Sequence, residues 1–381
     1  MVKKEKACTG CTACMNICPK AAIQMKEDCE GFLYPNINET LCIGCNLCDK
    51  VCPILKEKTS QRKQVIAYAA KNKENNVRKI CASGGVFSAI SDWILDQNGS
   101  VYGAVFDKNF QVIHTKAENK KIRDRMRGSK YPQSSLDHIF QKVKSDLDSD
   151  KKVLFSGTPC QIDGLKSYLR KEYKQLYLCD IICHGVMSPK VFQDFIQFLS
   201  KKFHASIKSI CFRDKKEDWI NQRWKYEMGN GKVRVDDTYM LKLKKLYYGH
   251  LCMRPSCHEC LYANINRVSD LTIGDYWGID EAVPGFRDHL GISCILVNTE
   301  KGAELLENIS AKIEFIRTPI EKCIQPQLLH PSERSDKREE FWKLYQNVSF
   351  CQILRRYAKL NIKDSIKSRI PIKIRKKLKG V

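Results

Sequence analysis

The sequence predicts an α/β (α+β) body on a mixed sheet, with a small cysteine-rich domain ahead of it. Three observations predict this. Segments that read alternately as strand and helix run from residue 65 to residue 203. Asn230-Gly231 lies between two alternating segments and signals a hairpin, which makes the sheet mixed. Two identically spaced cysteine runs fall before residue 53.

The cysteine runs come first along the chain. Cys8, Cys11, Cys14 and Cys18 read CxxCxxCxxxCP, and Cys42, Cys45, Cys48 and Cys52 read the same, each followed by a proline, Pro19 or Pro53. This is the run by which bacterial-type two-cluster ferredoxins hold two 4Fe-4S clusters. Three closely spaced thiolates wrap one cubane, and the fourth, beyond the turn, reaches across to the other. Cys8, Cys11 and Cys14 are therefore expected to share a cluster with Cys52, and Cys42, Cys45 and Cys48 with Cys18. CxxC pairs also bind structural zinc, but two full copies with both prolines favour clusters. Cys29 lies outside the pattern.

"KEKTSQRKQ" (56–64) is polar and charged, and reads as a linker. Beyond it "VIAYAA" reads as a strand, "GGVFSAISDWILDQ" as an amphipathic helix, "VYGAVFD" and "KKVLFS" as strands, and "CQIDGLKSYLRK" as a helix. "LYLCDIIC" gives a further strand and "PKVFQDFIQFLSKKF" a further helix, opened by Pro189. "SERSDKREEFWKLYQN" reads as a surface helix, and the rest as a basic tail ending "IKIRKKLKGV". The domains expected are 1–58, the two-cluster ferredoxin domain; 64–150 and 151–325, the two parts of the body; and 326–381, the helix and tail.

Length and charge bound the function. A chain of 381 residues is too long for a ferredoxin alone, so the cysteine-rich domain is an input module. Twenty cysteines in an oxidising compartment would imply disulfides. No apolar signal segment follows "MVKKEKACTG", cluster ligands must be reduced, and no apolar run reaches the ~18 residues of a membrane span, so a cytoplasmic protein is expected. The net charge of +23 falls to roughly +17 if three clusters of about −2 each are bound. That excess suits an acidic electron-transfer protein, a ferredoxin or flavodoxin, or another redox subunit. The basic tail is a candidate for peripheral contact with anionic membrane at its inner face. No aromatic-interleaved basic stripe or binding module marks nucleic acid as a partner.

Several stretches of the body are unusual for plain scaffold. "CASGGVFSAI" places Ser83, Gly84 and Gly85 at a helix start, where free N–H groups and the helix dipole suit a phosphate; a glycine-rich turn is more often only a turn. "RGSKYPQS" supplies Ser129, Lys130 and Tyr131 in a loop. "SGTPCQ" delivers Cys160 to a strand-to-helix turn, where α/β sheets place ligands, and "CDIICHGV" repeats the device with Cys183 and His184. "LCMRPSCHEC" adds the CxxC pair Cys257 and Cys260, and "SDLTIGDYWGI" carries Asp275 after a strand.

Together these stretches resemble the beta-subunit family of coenzyme F-420 hydrogenase/dehydrogenase. "ASGGVFSA", "GSKY", "SGTPCQIDGLK", "ICHGVMSPKVFQDF", "FRDK", "RPSCHEC" and "TIGDYWG" carry the resemblance jointly, over about residues 1–325. The family also includes reductases with no connection to that deazaflavin. The resemblance implies an iron-sulfur flavoprotein with FAD in the N-terminal part of the body and a further 4Fe-4S cluster close to it. It places Ser83, Gly84, Gly85, Ser129, Lys130 and Tyr131 around FAD, with Thr158 and Pro159 near the isoalloxazine. Matching motif positions assign the third cluster to Cys160, Cys183, Cys257 and Cys260, with Cys179 and Cys252 as competitors.

These parts belong together because clusters move single electrons, most organic reductions need two with protons, and a flavin joins the two regimes. The expected order is N-terminal clusters, third cluster, FAD, small organic acceptor, and it could run in reverse. His184 and Asp275 are the candidate catalytic residues, for proton handling or substrate orientation; each also fits a structural role. The alternative is a non-catalytic electron-transfer subunit of a larger redox complex. A radical enzyme is excluded by spacing, since Cys252, Cys257 and Cys260 read CxxxxCxxC rather than CxxxCxxC.

Overall fold

The computed structural model describes residues 6–56, 64–221 and 223–361. Residues 57–63 of the linker expected over 56–64, and the basic tail from 362, lie outside them.

The N-terminal unit is built twice from the same backbone. Gly10 and Gly44 take φ of 70° and 67°, and Thr12 and Asn46 take 62° and 56°. The equivalent left-handed turns wind each CxxCxxC loop and open a short helix, Ala13–Ile17 in one copy and Leu47–Lys50 in the other. Strands β1 (Ile23–Glu27) and β2 (Leu33–Ile37) pair antiparallel between them.

The body centres on a mixed sheet of eight strands: β3 (Ile66–Asn72), β4 (Ser100–Phe106), β5 (Val112–Ala117), β6 (Val153–Gly157), β7 (Leu176–Ile181), and, later in the chain, Leu271–Asp275, Ser293–Val297 and Ile313–Thr318. Between these groups come β8 (Ile207–Asp214), β9 (Arg223–Met228) and β10 (Val233–Val235), so the last three sheet strands are β11, β12 and β13. The sheet order is β13-β3-β12-β11-β7-β6-β4-β5. β4, β6, β7 and β11 run parallel, and β5, β12, β3 and β13 join antiparallel.

Side chains alternate across the parallel strands. Val101, Val105, Leu154 and Cys179 face one core, with helices Val86–Leu95 and Glu300–Asn308. Tyr102, Phe155 and Leu178 face the other, with helices Ile139–Asp148 and Pro159–Leu169. Ala13 and Val51 of the N-terminal unit are buried in that second core. A Cβ on Gly164 would lie 2.7 Å from the Cys11 Cβ, so the first cysteine loop rests directly on helix Pro159–Leu169.

Two features differ from the expectation. The Asn-Gly hairpin forms as read, with Val233 opposite Glu227, but outside the main sheet. β8, β9 and β10 make a separate three-stranded sheet that buries Phe212, Trp224 and Tyr226 against helices Pro189–Phe203 and Thr238–Tyr248. The main sheet is mixed through β3, β5, β12 and β13 instead. The expected surface helix after residue 325 is two helices, Arg338–Tyr345 and Phe350–Tyr357, docked on that second lobe. Phe341, Trp342, Tyr345, Ile353 and Leu354 are buried there, and Arg338 makes a two-pronged ion pair with Glu30 of the N-terminal unit. Apolar side chains at 341, 342 and 345 cover one helix face, and burying them outweighs the charged flank read as solvent-facing.

Candidate functional site

Three cavities adjoin, one in the N-terminal unit and two along the C-terminal edge of the parallel strands, where α/β sheets expose their loops. The smallest, about 50 Å³, is lined by Cys8, Cys11, Cys14 and Cys52, the four residues paired by spacing. Cys18 and Cys48 pack together on the neighbouring apolar cluster of Met15 and Ile23, while Cys45 is exposed. The second cavity, about 310 Å³, is lined by Cys160, Cys183, Cys257 and Cys260, and shares Thr9 and Ile54 with the first. The third is a cleft of about 530 Å³ between the sheet edge and the second lobe, sharing Thr158, Gln161, Cys183 and His184 with the second.

Local sequence explains how each thiol arrives. β6 ends in Gly157, Thr158 takes the helix N-cap, and Pro159 fits the first helical turn because no N–H is needed there. The Thr158 N–H donates to Gln161 Oε1 at 2.9 Å, fixing the turn that carries Cys160. Cys183 follows β7, Cys257 lies within the short 3-10 helix Pro255–Glu259, and Cys260 caps the end of that helix. Burial pushes the Cys160 thiol up to about 11 and the Cys257 thiol up to about 12, and raises Cys183 well above its ordinary value, with the neighbouring cysteines adding to each shift. Among the described residues no three His, Cys, Asp or Glu side chains converge on one ion-sized point. The four thiols line a cavity wall instead, and a donor set of four soft sulfurs spread around a void fits a cluster that takes one thiolate at each corner. The competitors are placed elsewhere: Cys179 is buried in the core on the opposite sheet face, and Cys252 in the second lobe.

The large cleft collects most of the remaining expected residues. Ser83, Gly85, Ser129, Lys130, Tyr131, Thr158, His184 and Asp275 all line it. Gly85, at φ 87°, caps helix Val86–Leu95, whose first N–H groups have no intrahelical acceptor. Gly84 does not face the cleft: its N–H donates to Ser293 Oγ, and a Cβ there would lie 2.4 Å from the Ala70 carbonyl oxygen. Glycine is needed at 84 for this close approach of loop to sheet. Pro159 lines the second cavity rather than the cleft. Lys130 is turned into its own loop, its ammonium donating to the carbonyls of Arg125, Met126, Arg127 and Gly128, with burial pushing its pKa down to about 7. The Tyr131 ring stacks on Trp224, centroids 5.1 Å apart, and lies 4.9 Å from Tyr247.

Both candidate catalytic residues are held by neighbours. Asp275 ends β11 and pairs with Arg213 at 2.7 Å, while its carbonyl accepts from Gln325. Its second carboxylate oxygen and the Arg213 Nε are buried without a protein partner. Gln327 donates to His184 Nδ1 at 3.0 Å, leaving the Nε2 proton directed to His250 Nε2 at 3.2 Å. Burial, then His250, pushes His184 down to about 4. His114, also in the cleft wall, is fixed in one neutral tautomer: Nε2 donates to the Ser156 carbonyl at 3.0 Å and Nδ1 accepts from Ser134.

The sequence reading missed Arg213, Lys215, His114, Tyr247, Tyr248 and Gln327. "FRDK" was a signal for two of them. Arg213 lines the cleft, and Lys215 donates to the Ser83 carbonyl at 2.8 Å. The others carry no spacing that marks them, because they reach the cleft from β5, from the end of helix Thr238–Tyr248 and from a late loop.

Residues 7–54 match the 4Fe-4S dicluster domain, which makes the chain an iron-sulfur protein. Residues 150–322 match the family described as the C terminus of the coenzyme F420 hydrogenase/dehydrogenase beta subunit. No curated protein matches it. Among solved structures it is similar to a chain of the xenon-derivatised F420-reducing [NiFe] hydrogenase complex from Methanosarcina barkeri, at 17% identity, covering 82% of this chain and 95% of that one, with a TM-score of 0.46. No helix among the described residues is long and apolar enough to cross a membrane.

Proposed function

We propose that the chain is an iron-sulfur flavoprotein oxidoreductase that passes electrons between a protein partner and a small organic molecule, by way of three cysteine quartets and FAD in the large cleft. The observation that carries this reading is the contiguity of the three cavities, each sharing wall residues with the next. Bound there, the clusters and FAD would supply the exchange between single-electron transfer and a two-electron, proton-coupled reduction.

The chain's own residues divide the remaining work. Cys8, Cys11, Cys14 and Cys52 would hold the inner cluster, and Cys18, Cys42, Cys45 and Cys48 the outer one. Cys160, Cys183, Cys257 and Cys260 would hold the third, between the inner cluster and the cleft. The first turn of helix Val86–Leu95 and the Ser129 hydroxyl suit the pyrophosphate, while the Ser83 hydroxyl beside them donates to the Ile292 carbonyl; the aromatic wall around Tyr131 suits a planar ring, and Thr158 lies where the cleft meets the third quartet. Arg213 and Asp275 offer one unpartnered buried polar atom each to an occupant of the cleft. His184 stands at the junction of cleft and second cavity, with its Nε2 proton shared with His250.

The partner would meet the chain at the outer cluster. Cys45, Leu41 and Ile43 are exposed there, whereas Cys14 is buried within the N-terminal unit and the loop of Cys11 rests on helix Pro159–Leu169. A net charge of +23 would steer an acidic ferredoxin or flavodoxin, or another redox subunit, toward it.

Full-length protein purified anaerobically and reconstituted with iron, sulfide and flavin should release FAD on denaturation. Protein that takes up iron but refuses FAD at micromolar concentration sinks the flavin reading.

A further inference from the structure

We propose that Arg254 is a positioning residue joining the first and third cysteine quartets, and that its fixed positive charge makes both metal centres easier to reduce. The proposal rests on the reading of Cys160, Cys183, Cys257 and Cys260 as a cluster site.

Arg254 is 1% exposed, three residues before Cys257, and lines the second cavity. Its guanidinium leaves that cavity and enters the N-terminal unit. Nε donates to the Cys8 carbonyl at 2.9 Å, Nη2 to the Leu33 carbonyl at 3.0 Å, and Nη1 to Gln133 Oε1 at 2.8 Å. The Cys257 N–H in turn donates to the Arg254 carbonyl at 3.0 Å. One residue thus ties the loop of Cys8 to the loop of Cys257. The fit leaves little room, since a Cβ on Gly10 would meet Arg254 Nη1 at 2.9 Å.

The protein itself supplies no counter-charge. All three hydrogen-bond acceptors are neutral, no carboxylate among the described residues pairs with Arg254, and the guanidinium sits 4.3 Å from the Tyr34 ring centroid. A buried, unpaired guanidinium is unfavourable unless negative charge lies close by. Four-thiolate clusters on either side, about −2 each when oxidised and more negative when reduced, would supply it. A cation stabilises the more negative state, so removing it lowers the midpoint potential of each neighbouring centre.

The test uses full-length, anaerobically reconstituted protein with Arg254→Gln and Arg254→Lys, followed by iron analysis and EPR-monitored reductive titration. With R254Q, two of the three cluster midpoints should fall by a tenfold or larger change in the reduction equilibrium, 59 mV for one electron. The outer cluster of Cys42, Cys45 and Cys48 should stay within that margin, and R254K should restore most of the loss. Full iron with all midpoints unchanged in R254Q, or an equal fall in all three, overturns the proposal. Should R254Q take up no iron, R254K decides: wild-type midpoints support the charge role, and a tenfold fall with the charge retained overturns it. A wild-type protein showing only two clusters would refute the third quartet separately, and the Arg254 charge would still be read on the Cys8 cluster.

Discussion

Exchanging Cys257 and Cys260 for serine tests whether the second cavity holds a cluster. Three quartets at four irons each set the full load of reconstituted wild-type protein at about 12 irons per chain, and losing one quartet sets the variant at about 8. Serine is close to cysteine in size, so the cavity walls should persist and the fold should not be the cause of any loss. The full chain is the right material. Ala13 and Val51 are buried in the body's core, and Arg338 and Arg254 bond across to Glu30 and Cys8, so cutting the N-terminal unit away would expose apolar surface and unpair buried charge. Cys179→Ser is the control: that thiol is fully buried on the opposite sheet face, and its loss should leave about 12 irons. Iron and sulfide analysis gives the count, and stopped-flow reduction from the N-terminal clusters gives the path. In the double variant those clusters should still reduce while the flavin does not. A wild-type load near 8 irons, or a double variant that reduces its flavin at the native rate, would refute the reasoning and favour direct transfer from the inner cluster to the flavin.

Three further outcomes follow from residues in and beside the cleft. Gly84→Ala places a methyl 2.4 Å from the Ala70 carbonyl and 2.7 Å from the Ser293 nitrogen, both backbone atoms, and should destabilise the protein in urea by about 1–3 kcal/mol while weakening flavin retention. Gly128→Ala, where nothing lies within 4 Å, should show only the left-handed backbone penalty of about 1–2 kcal/mol and keep its clusters. His114, buried and held neutral, has its pKa pushed from 6.5 down to about 4 by burial, so the unfolded chain binds the extra proton first as pH falls. Stability present above pH 6.5 should therefore be lost on acidification, by about 2 kcal/mol at pH 5 at about 1.4 kcal/mol per unit. Urea midpoints measured across that range should flatten in His114→Gln, and an equally steep variant would show that His114 does not carry the effect.

Much of the candidate site was legible because its chemistry sits in short runs. The two CxxCxxCxxxCP runs needed no fold to be read, since three expected ligands of each cluster lie within a few residues of each other, the turn that winds them is local, and the fourth is marked by its own CP in the other run. Strands and helices from 65 to 203 were legible for the same reason: a period of 2 or 3.6 is a local property, and "VYGAVFD" or "CQIDGLKSYLRK" displays it whatever lies nearby. The sheet to which a hairpin belongs is not local. Asn230-Gly231 announced the turn, but only burial of Trp224 and Tyr226 against the second lobe placed β9 and β10 outside the main sheet.

The sequence by itself determined that this is an iron-sulfur protein with two identically spaced cysteine runs, an α/β body and motifs of the beta-subunit family. Only the tertiary structure decided which of the remaining cysteines come together. Cys179 and Cys183 are four residues apart, yet Cys179 lies within β7 with its side chain in the core, whereas Cys183 lies past the end of the strand at Ile181, in the edge loop beside Cys160. It also decided that Gly84 serves packing, that Lys130 is occupied by its own loop, and that a buried arginine spans the first and third quartets. Each of these depends on chain segments far apart in sequence meeting at one edge of the sheet, and no spacing along a single chain encodes such a meeting.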